Sequence, residues 1–325
     1  MPLDDKIILL TGGTGSFGQT FTRIALEKYD PHAIRIFSRG EHKQCDMERE
    51  LSEHTDKLRF FVGDIRNLRR LERAMEGVDL VIHAAAMKRV PKCEYNPIEA
   101  VRTNIDGAAN VIDAAIDHDV ERVIAISTDK AVHAVNLYGS TKQVAEKLFV
   151  QSNAYAGGQK TSFSCIRYGN VVGSNGSVIP LFKEQRKEGT LTITDKRMTR
   201  FWITKEQGSR HVINGIEKMQ GGEIFVPKIP SMKITDLADA IAPEAEKEEI
   251  GIRPGEKIHE VLLTEQEARH ALELDDYFVI EPEFDFWSGQ NHESGESLPD
   301  GFRYSSDEND EWLTKDELKN MTDQM

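Results

Sequence analysis

Two short stretches of the chain carry side chains that could do acid–base chemistry. The first is Thr128-Asp129-Lys130, and the second is Tyr138 with Lys142 one helical turn further on. Residues four apart on a helix share one face, so a Lys142 ammonium can stabilise the tyrosinate form of Tyr138. Such a tyrosine can take a proton from an alcohol near neutral pH. The same residues could also be a surface Asp–Lys pair and the start of an ordinary amphipathic helix. Whether they form a catalytic site therefore depends on the elements around them.

These stretches lie in a chain whose first half alternates strand and helix patterns. Helical spacing of apolar residues is clearest from residue 100 to residue 118. Such alternation predicts right-handed crossovers and a parallel sheet covered on both faces, which is a Rossmann-type, doubly wound α/β fold. The predicted strands are residues 6–11, 33–38, 58–64, 79–86, 122–128 and 161–173.

A change of pattern near residue 173 predicts a second, smaller domain. Downstream of it the elements shorten and turn signals become frequent. We expect residues 1–170 to form the doubly wound domain, with later segments returning to it. Residues 171–325 are expected to form a mixed α/β substrate-binding domain and a C-terminal tail. The acid-rich stretch 293–317 is predicted to be solvated.

A glycine-rich turn, TGGTGSFG, follows the first strand and opens a helix. Gly12, Gly15 and Gly18 are spaced three apart in it. Glycines permit the tight turn and let a pyrophosphate approach the backbone at a helix N-terminus. A purely structural turn could need the same glycines, but their position between the first strand and helix favours dinucleotide binding.

The residues after the second strand indicate which dinucleotide binds. An NAD site usually places a carboxylate there to hold the ribose hydroxyls. Ser38 and Arg39 stand there instead, followed by Lys43, and both cations could pair with a 2′-phosphate. We therefore predict NADP. The alternative is that both cations are solvated and that Glu41 holds the ribose.

Composition excludes several classes of protein. The 325-residue chain has a formal net charge of −14 and a pI near 5.3, which argues against a general nucleic-acid or anionic-membrane binder. No apolar run approaches the ~20 residues needed to cross a bilayer, and the start lacks the apolar run of a signal peptide. Three scattered cysteines and ten histidines indicate neither a disulfide framework nor a metal site. We expect a cytoplasmic, metal-free protein.

With these motifs in place, the chain resembles the extended short-chain dehydrogenase/reductase superfamily, and more narrowly the 5-inverting UDP-N-acetylglucosamine 4,6-dehydratases. The resemblance runs through nearly the whole chain. Its motifs include STDKA (127–131), NLYGSTK (136–142), RYGNVVGSNGSVIP (167–180) and IRPGEKIHE (252–260). Lys130 decides the subclass, because retaining sugar dehydratases typically carry glutamate there. Residues 132–135 depart from the family pattern, in which a proline precedes Asn136.

The resemblance implies an NADP-dependent loss of water from UDP-N-acetylglucosamine with inversion at carbon 5. Tyr138 would take the proton of the 4-hydroxyl, and Thr128 would hydrogen-bond the 4-oxygen. Lys130 would remove the proton of carbon 5, and Asp129 would protonate the leaving 6-hydroxyl. Lys142 would hold the nicotinamide ribose. The product would be UDP-2-acetamido-2,6-dideoxy-β-L-arabino-hexos-4-ulose, for nonulosonate (pseudaminic acid-type) or capsule sugars.

The binding residues follow from the same resemblance and from the motifs above. Expected cofactor contacts are Gly12, Thr14, Gly15, Ser16, Phe17, Gly18, Ser38, Arg39, Lys43, Asp64, Ile65, Ala84, Ala85, Ala86, Lys88, Asn104, Tyr138 and Lys142. Expected substrate contacts are Lys88, Asn170, Val178, Arg200, Arg253 and Glu256, beside a helix that begins near Ser177. Phe201 and Trp202 are expected in the core.

Three alternative functions share some of these motifs. A UDP-sugar 4-epimerase needs the glycine turn and the Tyr138–Lys142 pair but has no need for Asp129-Lys130. A retaining 4,6-dehydratase would need a different residue at position 130. A catalytically idle dinucleotide-binding regulator would have lost Tyr138 or Lys142. The resemblance also implies a homo-oligomer, a dimer or a hexamer.

Overall fold

A computed structural model describes residues 1–156, 161–173, 178–283, 292 and 294–323. Its strands are β1 (Ile7–Thr11), β2 (Ala33–Ser38), β3 (Leu58–Val62), β4 (Leu80–His83), β5 (Arg122–Thr128), β6 (Ser162–Tyr168), β7 (Asn170–Val171), β8 (Thr190–Ile193), β9 (Thr199–Ile203), β10 (Ile224–Pro227), β11 (Ser231–Lys233), β12 (Glu246–Glu249), β13 (Val261–Leu263), β14 (Ala271–Glu273), β15 (Tyr277–Ile280), β16 (Glu296–Ser297) and β17 (Tyr304–Ser305).

The α-helices are α1 (Ser16–Lys28), α2 (Glu41–Glu50), α3 (Leu68–Met75), α4 (Val90–Tyr95), α5 (Pro97–Val101), α6 (Gly107–Asp117), α7 (Leu137–Tyr155), α8 (Val178–Gln185), α9 (Lys205–Lys218), α10 (Ile234–Ile241), α11 (Glu265–Ala268) and α12 (Lys315–Asp323). A π-helical turn at Arg102–Asp106 joins α5 to α6, and a 3₁₀ turn at Asp129–Ala131 follows β5.

A ten-stranded sheet organises the molecule, in the order β16-β14-β15-β10-β6-β5-β4-β1-β2-β3. The seven strands from β10 to β3 are parallel, and β14, β15 and β16 extend the sheet in antiparallel pairs. Helices α1 and α9 pack together, as do α3, α6 and α7. The parallel strands are almost continuously apolar, as expected for strands buried on both faces. The predicted Rossmann-type fold is confirmed.

A second core lies beside the sheet, built from α8, β8, β9, α10 and α12. Phe201 and Trp202 are both buried, as predicted. Residues 161–173 do not form the single strand that was predicted. The chain breaks at Gly169 into β6 and β7, which belong to different sheets. A Cβ at Gly169 would lie 2.6 Å from the Phe201 Cβ, so the chain turns where only glycine fits against β9.

The prediction of a solvated acidic stretch over 293–317 is wrong at residues 304–306. Tyr304, Ser305 and Ser306 are buried, and β17 pairs with β13. The Tyr304 hydroxyl donates to the Ile229 carbonyl and accepts from the Ile229 amide. The exposed acids Glu308, Asp310 and Glu311 follow these buried residues closely, so charge content alone misjudged part of the segment.

Candidate active site

The carboxyl ends of the parallel strands open onto a cleft of about 1280 Å³. Parallel α/β sheets place their ligand sites at this edge. All of the predicted site residues except Gly18, Asn104 and Asp129 line the cleft. The helix predicted to begin near Ser177 is α8, which starts at Val178 among the described residues, whereas Ser177 lies outside them.

The glycine turn forms one end of the cleft. Gly12 has a φ of +69°, and a Cβ there would lie 2.9 Å from the Ala85 amide nitrogen. A Cβ at Gly18 would lie 2.3 Å from the Gly13 carbonyl oxygen. Gly18 therefore lets α1 pack against the turn rather than touching a ligand. The N-terminus of α1 faces the cleft, which favours a bound anion.

The end of β2 places cations at the same side of the cleft. The Arg39 guanidinium is 3.9 Å from an Asp64 oxygen, and its side chain is 63 % exposed. Asp64 is held more closely by Arg66, at 2.7 Å, and although burial opposes it, Arg66 lowers the pKa of Asp64. Arg39 thus has no tight partner among the described residues. Glu41, the alternative ribose ligand, does not line the cleft.

The 3₁₀ turn after β5 brings the Asp–Lys pair together. Because β5 ends at Thr128, the side chains of Asp129 and Lys130 are not forced to opposite faces. Lys130 Nζ donates to Asp129 Oδ1 at 2.9 Å, and Thr128 Oγ1 donates to the same oxygen at 2.8 Å. Asp129 is fully buried, and its Oδ2 has no hydrogen-bond partner within the described part of the chain.

The electrostatics of this pair favour the ionised forms. Burial disfavours a charge on either group, but the attraction between them prevails. Lys130 therefore has its pKa raised, by Asp129 and Glu260, and Asp129 has its pKa lowered by Lys130 and by hydrogen bonds. The pair is an ammonium and a carboxylate here, so a base role for Lys130 requires that it first lose a proton.

Tyr138 lies beside this turn at the start of α7. Burial raises the pKa of Tyr138 to about 12, against the charge of Lys130 and a hydrogen bond with Thr128. Lys142 Nζ donates to the Ile126 carbonyl at 2.7 Å, and burial lowers the pKa of Lys142. In this geometry Lys130 is a cation that eases ionisation of Tyr138, and the contribution expected of Lys142 stays a prediction.

The substrate side of the cleft contains unsatisfied polar atoms. Asn170 Oδ1 and Glu256 Oε2 are buried without a hydrogen-bond partner among the residues described. Such atoms usually mark a ligand or water. Arg200 lines the cleft while donating to the carbonyls of Thr199, Lys257 and Ile258. The exposed Arg253 lies on the same wall.

Asn104 and His83 lie behind the cleft, whereas Lys88 lies on its wall. Asn104 uses its amide on the Met87 backbone and on Thr141 Oγ1, so the structure places it below the cleft. Burial and the charge of Lys130 lower the pKa of Lys88, which lies on the cleft wall. His83 contacts Thr11 Oγ1 at 2.9 Å, and burial lowers the pKa of His83 to about 3. His83 is therefore neutral.

Two charged residues of the site were missed by the sequence analysis. Lys257 Nζ donates to the carbonyls of Val132 and Asp129, at 2.6 and 3.2 Å. Glu260, only 3 % exposed, lies against Lys257 and Lys130. Both belong to the stretch IRPGEKIHE, where their i, i+3 spacing was visible. Their contact with a turn about 130 residues earlier was not.

The described residues contain neither a candidate metal centre nor a candidate membrane span. Among them, no group of three or more His, Cys, Asp or Glu side chains is placed to hold a metal ion. No helix in the same residues is both long and apolar enough to cross a membrane.

Comparison with known proteins places the chain in a class. Residues 8–282 match the profile of a family described as "Polysaccharide biosynthesis protein", and the chain belongs to that family. Over 322 residues, 96 % of each chain, it is 51 % identical to UDP-N-acetylglucosamine 4,6-dehydratase (inverting) of Campylobacter jejuni subsp. jejuni serotype O:23/36 (strain 81-176). The predicted resemblance to inverting dehydratases is confirmed.

Two further proteins are similar to the chain, one in sequence and one in structure. The chain is 44 % identical to a UDP-glucose 4-epimerase of Rickettsia canadensis (strain McKiel), over 85 % of this chain and 83 % of that one. The X-ray structure of Pen from Bacillus thuringiensis superposes with a TM-score of 0.89 at 39 % identity, covering 100 % of both chains.

Proposed function

We propose that the protein is an NADP-dependent UDP-N-acetylglucosamine 4,6-dehydratase that inverts carbon 5. The observation that carries the proposal is the 2.9 Å contact between Asp129 and Lys130, in a turn beside Tyr138 at the cleft. The relative from Campylobacter jejuni, which matches 96 % of the chain, bears the name of this activity. The product would be the 6-deoxy-4-keto sugar with inverted carbon 5.

The glycine-turn end of the cleft fits a nicotinamide dinucleotide. The close approach at Gly12 leaves backbone and a helix N-terminus for a pyrophosphate. Arg39 and Lys43 would hold the 2′-phosphate, since Arg39 has only a 3.9 Å ion pair, and Lys142 would hold the nicotinamide ribose. When bound, NADP⁺ supplies a hydride acceptor for carbon 4 and returns the hydride to carbon 6.

Formation of the 4-ketone would depend on Tyr138. Its phenolate takes the proton of the 4-hydroxyl, and Thr128 hydrogen-bonds the same oxygen. Because burial raises the pKa of Tyr138, the positive charge of Lys130 offsets part of the cost of ionisation. The ketone then acidifies the hydrogen on carbon 5.

Elimination would use the Asp–Lys pair as one unit. A proton first moves from the Lys130 ammonium to the Asp129 carboxylate over the 2.9 Å contact, which leaves an amine and a carboxylic acid. The amine then takes the proton of carbon 5, and the acid protonates the departing 6-hydroxyl, which leaves as water. The pair ends as ammonium and carboxylate again, so charge and protons balance. Return of the hydride to carbon 6 would leave an enolate, which takes one proton from water at carbon 5 on the opposite face and so gives inversion. Tyr138 then releases to water the proton that it took from the 4-hydroxyl, so the protons of the whole cycle balance.

A UDP-sugar 4-epimerase is the second candidate. A relative with 44 % identity bears that name, and an epimerase would use Tyr138, Lys142 and the same cofactor. An epimerase does not remove the proton of carbon 5, so it needs no base there. The close hydrogen bond between Lys130 and the buried Asp129 favours the dehydratase.

Lys130→Ala tests the proposed base. The variant should oxidise carbon 4 and then stall, because no amine remains to deprotonate carbon 5. Bound NADPH should accumulate after UDP-N-acetylglucosamine is added, measured by its near-ultraviolet absorbance. Release of the 6-deoxy-4-keto product at the wild-type rate would contradict the assignment.

Asp129→Asn is the matched variant. It removes the acid and also the carboxylate that raises the pKa of Lys130, so Lys130 can lose its proton to solvent instead. Exchange of the carbon-5 hydrogen with D₂O should therefore persist while loss of the 6-hydroxyl slows. If both variants stop at the same step, the two roles are not separate.

The wider setting is proposed on the same basis. We expect a cytoplasmic homo-oligomer, a dimer or a hexamer, whose product supplies nonulosonate (pseudaminic acid-type) or capsule sugars.

A further inference from the structure

Glu260 is a buried carboxylate with no role in the reaction described above. Its Oε1 lies 3.7 Å from Lys130 Nζ and 3.9 Å from Arg200 Nε, while its Oε2 lies 3.3 Å from Lys257 Nζ. The side chain is only 4 % exposed. One carboxylate therefore contacts three cations that line the same cleft.

The surroundings hold Glu260 and its partners in place. The Glu260 amide donates to Ser306 Oγ at 2.9 Å, and the Ser306 amide donates to the Glu260 carbonyl at 2.8 Å. Lys257 is fixed in turn by the carbonyls of Val132 and Asp129. The backbone of the catalytic turn and the C-terminal segment thus meet around this carboxylate, which marks a preformed arrangement.

We infer that Glu260 is a positioning residue for the proposed dehydration, holding the Lys130 amine between Asp129 and carbon 5 of the sugar. The inference rests on the proposed function, in which Lys130 is the base. Asp129 alone provides one anchor for a flexible side chain, and Glu260 provides the second from the other half of the molecule. Two anchors fix the direction in which the amine nitrogen points.

Glu260 also acts on the charge of Lys130. The groups that face Lys130 are the carboxylates of Asp129 and Glu260, the cations Lys88 and Arg200, and the Tyr138 phenol. Loss of the Glu260 charge should therefore favour the neutral amine. A positioning role predicts two opposite effects in Glu260→Gln, an amine that is more often neutral and a slower reaction at carbon 5. A merely structural role predicts loss of stability, with a reaction at carbon 5 that is not slowed in the folded protein.

The test on the amine is competitive labelling. Intact Glu260→Gln and wild-type protein are labelled with limiting acetic anhydride across a pH series, and peptide mass spectrometry follows Lys130 against the exposed Lys196. The midpoint of Lys130 labelling should fall by roughly one pH unit, the size expected for removing one opposite charge at this distance. A looser side chain alone would raise the extent of labelling without moving the midpoint.

The test on the reaction uses the same two proteins. Exchange of the carbon-5 hydrogen of UDP-N-acetylglucosamine in D₂O should slow by roughly 10- to 100-fold in Glu260→Gln, as misplacement of a reacting group does. Glu260→Asp keeps a charge but withdraws it by one methylene, so both effects should keep their direction and shrink. Glu260→Asp replaces Glu260→Gln in both experiments if the glutamine variant does not fold.

Glu267→Gln is the matched control, because Glu267 is a partly buried acid paired with Arg167 rather than with a cleft cation. It should lower the unfolding temperature without moving the midpoint for Lys130. An unchanged midpoint or an unchanged exchange rate in both Glu260 variants overturns the inference. If wild-type protein makes no 6-deoxy product, the proposed function fails instead, whatever the labelling shows.

Discussion

At the scale of single residues, the site combines charged side chains from one short stretch with charged side chains from distant parts of the sequence. Asp129, Lys130, Tyr138 and Lys142 lie within one short stretch, so their spacing alone predicted a shared site. Residue type predicted their chemistry, but not the ion pairing that raises the pKa of Lys130. That effect comes partly from Glu260, whose proximity only the fold creates.

Cofactor choice is a prediction at this scale. Arg39→Asp combined with Lys43→Ala should weaken NADP⁺ far more than NAD⁺, because both cations are assigned to the 2′-phosphate. The loss for NADP⁺ should reach roughly 10-fold or more, since a charge-assisted hydrogen bond contributes about 1.5–3 kcal/mol. Fluorescence titration of the cofactor-free protein measures both constants, and Arg49→Ala on the exposed face of α2 is the control. Equal losses for the two dinucleotides would refute the assignment.

At the scale of elements, the start of α7 is built against the catalytic turn. The Asn136 side chain accepts from the Gly139 amide at 2.8 Å and so caps the helix, while its amide donates to the Gly255 carbonyl. Val135 stands where the family pattern led us to expect a proline, and the N-cap asparagine after it fixes the start of the helix. A Cβ at Gly139 would lie 2.1 Å from the Lys130 carbonyl oxygen, so α7 and the turn touch backbone to backbone.

Gly139→Ala should therefore separate Tyr138 from the Asp–Lys pair. Neither backbone can yield without moving a catalytic residue, so turnover should fall by roughly 100-fold, the cost of about 1 Å of misplacement. Single-turnover formation of the 6-deoxy product measures the effect. Gly208→Ala in α9 is the control, because its Cβ would meet nothing closer than 3.3 Å. Wild-type turnover in Gly139→Ala would mean that this contact does not set the geometry.

Helices and strands could be predicted where the sequence has a clear apolar pattern. The parallel strands and the glycine turn were predictable because buried strands leave an uninterrupted apolar signal. The break at Gly169 and the packing of Tyr304 were not, since each depends on one contact with a distant element, Phe201 or Ile229. Local spacing contains no information about such partners.

At the scale of the whole molecule, a buried ion cluster joins three elements of the two halves of the chain. Arg167 in β6 contacts Glu146 of α7 at 2.5 Å and Glu267 of α11 at 2.9 Å, and it donates to the Leu262 carbonyl at 2.8 Å. Removing one member of a buried network leaves a charge without its full compensation.

Glu267→Gln should cost about 3 kcal/mol of the free energy of unfolding at neutral pH. Burial opposes ionisation, but Arg167 and hydrogen bonds lower the pKa of Glu267. A group with a lowered folded-state pKa stabilises the protein above its unfolded pKa, near 4.5, and loses that contribution as the pH falls through the folded value. The difference from wild type in urea unfolding should therefore shrink below pH 4.5. A difference that is constant from pH 7 to pH 3.5 would contradict this role.

The proposed inverting dehydration is tested most directly by proton NMR of UDP-N-acetylglucosamine incubated with the wild-type protein and NADP⁺ in D₂O. It predicts loss of water, a new 6-methyl signal, deuterium at carbon 5 and coupling constants of the inverted configuration. Only a base that removes the carbon-5 hydrogen, such as Lys130 beside Asp129, yields all four signals together. Epimerisation at carbon 4 without water loss, or a 6-deoxy-4-keto product with unchanged carbon-5 configuration, would contradict it.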